Sequence, residues 1–190
     1  MNNAMQLLTK FGRVAALLLA ATLVAAHAHA QVRNSGASPI ALNAVLSDSI
    51  TLTLSGNAVN FTLTGGSPTN PGSTGITATT FWVLKPSVNS LKLYAFFSSS
   101  TAALSDGAGH NIPSGDFQIS ANAGAFAPLT NTVAFGGANA GLLVSTVPIR
   151  GYNKAGTNSD VMTFNIDLAP IPTLPAGIYT GTLTIQAQAF

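Results

Sequence analysis

The chain contains no cysteine and no glutamate, and only 6% of its 190 residues are charged. An average soluble domain carries roughly 25% charged residues. Without cysteine, the chain has neither a disulfide framework nor the thiolate ligands of most structural zinc sites. With so few ionisable side chains, it also offers little for general acid–base catalysis. We therefore expect a protein without enzymatic activity, metal ion or cofactor.

The first thirty residues have the pattern of a secretory signal peptide. Lys10 and Arg13 precede a run, 14–26, that is apolar except for one threonine, and Ala28-His29-Ala30 supplies small residues at a cleavage position. The run is shorter than the ~18 apolar residues expected of a membrane helix. We predict a signal peptide at 1–30, cleavage before Gln31 and no membrane span afterwards. The product is then secreted to the periplasm, the cell surface or the medium.

Removal of these residues also removes the net positive charge. The mature chain retains five basic and five acidic side chains, so its net charge is zero. Nucleic-acid binding requires an excess of lysine and arginine that faces the phosphates. The balance of charge therefore excludes DNA and RNA as partners.

Apolar and polar residues alternate along most of the mature chain. Even positions are apolar from Ile40 to Leu46 and again from Ile50 to Leu54. Comparable segments recur, with turn-forming residues between them, at 59–63, 76–84, 90–97, 117–119, 142–149, 161–168 and 179–189. Period-two alternation is the pattern of strands with one buried face, and helical periodicity is absent. We predict one all-β domain over 31–190, an antiparallel immunoglobulin-like β-sandwich of roughly 8 to 10 strands with a flexible lead at 31–38.

One turn-rich loop holds the residues best suited to catalysis or metal binding. His110 is the only histidine of the mature chain, Asp106 lies four residues before it, and Asp116 follows. A hydrolase would require His110, or Asp106 together with Asp116, to converge in a pocket. A calcium site would require more carboxylates than this loop has, and the EF-hand spacing is absent. We interpret His110 as an exposed loop residue and the two aspartates as turn formers.

Aromatic residues suggest a different function. Trp82, Tyr94, Phe96 and Phe97 would form a platform for stacking sugars if they were exposed. Trp82, however, lies between Phe81 and Val83 in an apolar strand, which favours a place in the core.

A local resemblance is found near the C-terminus, in the sequence Leu-Pro-Ala-Gly-Ile-Tyr-Thr-Gly-Thr-Leu at 174–183. Gly177 and Tyr179 resemble the tyrosine corner of immunoglobulin-like sandwiches, in which the tyrosine hydroxyl bonds back to the preceding loop. This motif, followed by a last alternating strand, is similar to the end of bacterial fimbrial subunits and spore-coat-U-like secreted domains.

The resemblance implies a mode of assembly. In fimbrial subunits a sandwich is completed by an extended strand from a neighbour or a chaperone, a form of β-strand addition. Ile40, Leu42, Ala44 and Leu46 have the alternation of such a donor. They equally fit the first strand of a self-complete domain, an interpretation that needs no partner. Any self-association, or binding of an assembly chaperone, would use edge strands.

Three functions from different classes follow. The leading expectation is an exported, non-enzymatic structural or surface-assembly protein of the fimbrial type. The second is a secreted module that binds glycans or cell wall, and the third is a hydrolase.

Overall fold

The computed structural model describes residues 37–190. The predicted signal peptide, its cleavage site and residues 31–36 of the lead lie outside the described residues. The chain divides into two units, Met1–Ala44 and Val45–Phe190. Of the first unit the structure describes residues 37–44, which are exposed and form no regular secondary structure. The second unit contains all the strands described below.

Between residues 37 and 190 the structure contains eleven strands and one short 3₁₀ helix, Ser114–Asp116. The strands are β1 (Ser49–Leu54), β2 (Asn70–Pro71), β3 (Ile76–Val83), β4 (Ser90–Phe96), β5 (Leu104–Ser105), β6 (Asn111–Ile112), β7 (Phe117–Ala121), β8 (Ala127–Pro128), β9 (Gly141–Pro148), β10 (Ala155–Ile166) and β11 (Thr184–Ala189). No helix in this part of the chain is long and apolar enough to cross a membrane.

The strands form two main antiparallel sheets. The large sheet has the order β1-β3-β10-β7-β8, and β2 pairs with one end of β10. The small sheet has the order β11-β4-β9, and β5 and β6 form a separate hairpin. The predicted all-β antiparallel sandwich is confirmed.

The core lies between the two sheets because each strand turns its apolar positions inward. Met162 and Phe164 of β10 and Leu93 and Ala95 of β4 are buried in one cluster, although they belong to opposite sheets. Burial of a large apolar side chain contributes roughly 1.5–3 kcal/mol. A second cluster surrounds Trp82 at one end of the sandwich.

Three predicted strand segments do not form strands. Residues 40–46 have no regular structure, and β1 begins at Ser49. Residues 59–63 keep their alternation of half-buried and exposed side chains but form only an isolated bridge. The third segment is the first part of the predicted strand at 179–189, because β11 begins only at Thr184. A strand requires a hydrogen-bonded neighbour, and an alternating sequence alone does not supply one.

The segment 121–141 also differs in detail from its prediction. Its alanine, glycine and asparagine residues predict a loop with at most a short strand near Val133. The structure places a two-residue strand, β8, before that position and an isolated bridge between Asn131 and Gly141 after it.

Candidate functional site

An open apolar groove of about 870 Å³ enters the core of the sandwich. Its floor includes core residues of both sheets, among them Phe97, Phe117 and Phe164. Residues from 54–65 and from 174–185 line it as well. The groove therefore leads to the apolar core between the two sheets, where these three side chains expose 5% or less of their surface.

The first wall of the groove is a strand-like segment at 59–63 that is paired along one edge only. Val59, Phe61 and Leu63 turn their side chains toward the core. The carbonyl of Asn60 accepts a hydrogen bond from the backbone of Ser73, at 2.8 Å. Within the described residues the amides of Val59, Phe61 and Leu63 form no hydrogen bond. Because neighbouring residues of an extended chain direct their backbone groups to opposite edges, this wall has one bonded edge and one free edge.

The second wall is the segment that leads into β11. The backbones of Thr180 and Ser105 exchange two hydrogen bonds of 2.9 Å, which fix one edge of this wall to the β5–β6 hairpin. Within the described part of the chain the amides of Tyr179, Gly181 and Leu183 have no hydrogen-bond partner. The two walls thus have the same property: each is hydrogen-bonded to its neighbour at one residue, Asn60 or Thr180, and the backbone amides on either side of that residue are unpaired.

The β5–β6 hairpin supports the second wall through a glycine. A Cβ built on Gly181 would lie 2.0 Å from the carbonyl oxygen of Ala103, so only glycine permits this approach. The turn of the hairpin is held by Asp106, whose carboxylate accepts hydrogen bonds from the backbone amides of Ala108 and His110 at 2.8 and 3.0 Å.

The Asp106 carboxylate also contacts the ring of His110. The His110 Nδ1 and Asp106 Oδ2 atoms are 2.6 Å apart. The hydrogen bond from the His110 side chain is the main factor that lowers the pKa of Asp106. Among the described residues the His110 ring has no other hydrogen-bond partner, so no serine or threonine hydroxyl is paired with it. The arrangement holds a turn and lacks a positioned nucleophile.

The residues of the predicted tyrosine corner line the groove. The Tyr179 hydroxyl donates a 2.8 Å hydrogen bond to the carbonyl of Pro175, the contact with the preceding loop that the resemblance implies. Burial and the charge of Asp106 raise the pKa of Tyr179. Gly177 lies beside the Tyr179 ring and Asp106.

The other candidates for chemistry lie apart from one another. Asp116 neighbours Asp167, and burial and the charge of Asp167 raise the pKa of Asp116. Asp106 contacts His110, so the two aspartates proposed for a hydrolase have different partners. Within residues 37–190 no group of three or more histidine or acidic side chains is arranged to hold a metal ion.

The aromatic residues considered for sugar stacking are buried. Trp82, Tyr94, Phe96 and Phe97 each expose less than a tenth of their surface. The Trp82 indole nitrogen donates a 2.9 Å hydrogen bond to the carbonyl of Asn153. These four side chains do not form an open platform.

The candidate donor residues are, in contrast, exposed. Ile40, Leu42 and Leu46 expose 83%, 90% and 83% of their surface, and Ala44 is exposed too. With Val45, which exposes 91%, four large aliphatic side chains of this short segment are exposed.

The walls of the groove were missed from the sequence. The segments 59–63 and 179–183 read as ordinary strands, because a paired and an unpaired strand have the same alternation. No signal in the sequence marks the missing neighbour.

Compared with known proteins, the chain matches no protein-family model, and no curated protein matches it significantly.

Proposed function

We propose that this protein is an exported, non-enzymatic structural or surface-assembly subunit, and that its groove accepts an extended strand from a second copy. The observation that carries the proposal is the groove itself, an opening into the core between two strand-like walls with unpaired backbone edges. A strand laid along either wall would find hydrogen-bond partners on the free edge of that wall and an apolar floor beneath.

The exposed segment 40–46 has the properties of the inserted strand. Its apolar side chains at Ile40, Leu42, Ala44 and Leu46 lie on one face of an extended chain, which would be the face toward the groove floor. Burial of each large side chain would contribute roughly 1.5–3 kcal/mol. The segment carries no charge. Its seven residues extend about 20 Å, longer than the five residues of either wall.

The length of the chain favours insertion into a second copy. Within one copy, residues 40–46 could form a hairpin with β1 through a turn at Ser47 and Asp48. Leu46 would then pair with Ser49 and Ile40 with residue 55, so the segment would lie beside β1. The wall at 59–63 would then face residues 32–36, whose sequence Val-Arg-Asn-Ser-Gly lacks apolar alternation.

A parallel arrangement within one copy is also excluded by length. In that arrangement Leu46 would lie at the far end of the wall, and Ser47 and Asp48 would have to return along the wall and β1 to reach Ser49. The three peptide links between Leu46 and Ser49 reach only about 10 Å. A second copy has no such restriction. Because the donor and the groove are different surfaces, each subunit can bind the next in an open-ended chain.

The test compares variants of the mature chain, which begins at Gln31. Its mass in solution is measured by light scattering, with and without residues 31–46. We expect discrete multimers or filaments from the longer chain, and a folded monomer after the deletion. A longer chain that stays monomeric, or a deletion that unfolds the domain, would contradict the proposal.

A matched pair of variants separates the apolar face from the segment as a whole. The double substitution Ile40→Asp with Leu42→Asp places charge on the face toward the groove. The control, Ala41→Asp with Asn43→Asp, adds the same charge to the opposite face. Only the first pair should prevent assembly. Equal effects of the two pairs would mean that charge, and not the side chains of one face, governs association.

A further inference from the structure

The outer face of the large sheet is neutral and rich in hydroxyl groups. On β1, β3 and β10 the residues of alternate positions point away from the core. We call this set the hydroxyl face: Ser49, Thr51, Thr53, Thr77, Thr79, Phe81, Val83, Ala155, Thr157, Ser159 and Val161. None of these side chains is charged, and seven of them carry a hydroxyl.

An exposed aromatic ring interrupts the hydroxyls. Phe81 is 49% exposed, and it lies on the central one of the three strands. Thr51 is its partner in the register on one side and Thr157 on the other. Neighbouring strand backbones are ~4.8 Å apart, so a threonine stands beside Phe81 on each side.

The two flanking hydroxyls are available to a ligand. Within the described residues neither Thr51 nor Thr157 uses its hydroxyl in a hydrogen bond. The next row differs, because the hydroxyls of Thr79 and Ser159 lie 3.0 Å apart and bond to each other. The row that contains Phe81 therefore combines an apolar ring with free donors and acceptors.

We propose that the hydroxyl face binds a neutral polysaccharide, with one sugar ring stacked on Phe81 and its hydroxyls bonded to Thr51 and Thr157. A sugar presents a face of C–H groups and a rim of hydroxyls, which matches a ring flanked by hydroxyls. The lack of charge sets the class of ligand. A nucleic acid or an acidic polymer would find no cation on this face, whereas a neutral polymer requires none.

This proposal is independent of strand insertion, because it uses the opposite side of the large sheet from the core and the groove. A surface built of three strands is broad and shallow, so we expect it to bind a chain on the surface of an insoluble polysaccharide. A small free sugar would contact little more than Phe81 and the two threonines beside it, so we expect it to bind weakly.

The test is retention of the mature protein on insoluble cellulose, chitin and starch. We expect retention on at least one of them, unaffected by added salt, because ion pairs are not involved. Phe81→Ala should weaken it about tenfold, the loss of one stacked aromatic contact, and Phe81→Tyr should preserve it. Thr51→Val, which keeps the shape and removes the hydroxyl, should weaken it by a smaller factor.

Controls make each outcome decisive. Leu143→Ala removes an exposed apolar side chain from the small sheet, where 43% of it is exposed, and should leave retention unchanged. The pair Ile40→Asp with Leu42→Asp should abolish assembly and preserve binding to polysaccharide. No retention on any of the three polymers, or equal losses for Phe81→Ala and Leu143→Ala, would overturn the proposal. A fall in the solution mass of Phe81→Ala would instead assign the face to contact between copies.

Discussion

The Tyr179 hydroxyl and the Pro175 carbonyl oxygen lie 2.8 Å apart and form a hydrogen bond across one turn of the groove wall. Tyr179→Phe removes this bond and preserves the ring. We expect the free energy of unfolding to fall by about 0.5–1.5 kcal/mol, the net value of one hydrogen bond, as measured by urea denaturation. Tyr152 is 85% exposed, so Tyr152→Phe is a matched control that should change little. Equal effects at the two positions would mean that the corner does not stabilise the wall.

Gly156 determines whether Trp82 fits into the core. A Cβ at Gly156 would lie 2.7 Å from the indole ring, closer than any normal contact. Gly156→Ala should displace the ring and cost about 1–3 kcal/mol, the usual penalty of overpacking. The fluorescence of Trp82, the only tryptophan, should report the displacement. A Cβ at Gly151 meets nothing within 4 Å, so Gly151→Ala should change neither the free energy of unfolding nor the fluorescence of Trp82.

Asp160 connects the two sheets through hydrogen bonds. Its buried carboxylate accepts them from Asn122, Ser145 and Asn158 at 2.7 to 2.9 Å, and Ser145 belongs to β9 of the small sheet. Asp160→Ala leaves three donors without a partner, so we expect a loss of about 3 kcal/mol or more in thermal or chemical unfolding. The control is Asp48→Ala, which removes an exposed pair with Lys85 and should cost less than about 1 kcal/mol. Similar losses would contradict the assignment of Asp160 as a link.

Two aspartates should affect the pH dependence of stability in opposite directions. The pKa of Asp106 is lowered in the fold, mainly by His110, so its charged form stabilises the protein above the unfolded pKa. This contribution disappears as the pH falls through the folded pKa. The pKa of Asp116 is raised by burial, so its ionisation destabilises the fold at neutral pH, and the cost disappears on acidification.

The test is the free energy of unfolding of Asp106→Asn and Asp116→Asn, measured between neutral pH and about pH 3. This range covers the titration of carboxyl groups, whose ordinary pKa is near 3.9. Asp106→Asn should be less stable than the unmodified protein at neutral pH. Asp116→Asn should be more stable, by less than about 1 kcal/mol for a partly exposed charge. Both differences should shrink toward the acid end. Differences of the same sign would contradict the opposite pKa shifts.

The sequence predicts the fold class because alternation is a direct consequence of burial on one face of a sheet. The strands around Trp82, Leu93 and Phe164 follow from their own residues. The groove does not, because it depends on which strands find neighbours, and Phe61 and Leu183 alternate like the residues of any paired strand. Burial of Asp160 is equally hidden, since its three hydrogen-bond donors are brought together only by the fold.

We expect residues 40–46 of one copy to occupy the groove of another. The most direct measurement places a photoreactive amino acid at position 42 of an unlabelled chain, which is mixed before assembly with an isotope-labelled chain that lacks the crosslinker. Peptides crosslinked after illumination are identified by mass spectrometry. We predict crosslinks from position 42 to residues 54–65 and 174–185 of the labelled copy. Crosslinks confined to the unlabelled chain, or to labelled residues outside the groove, would contradict it.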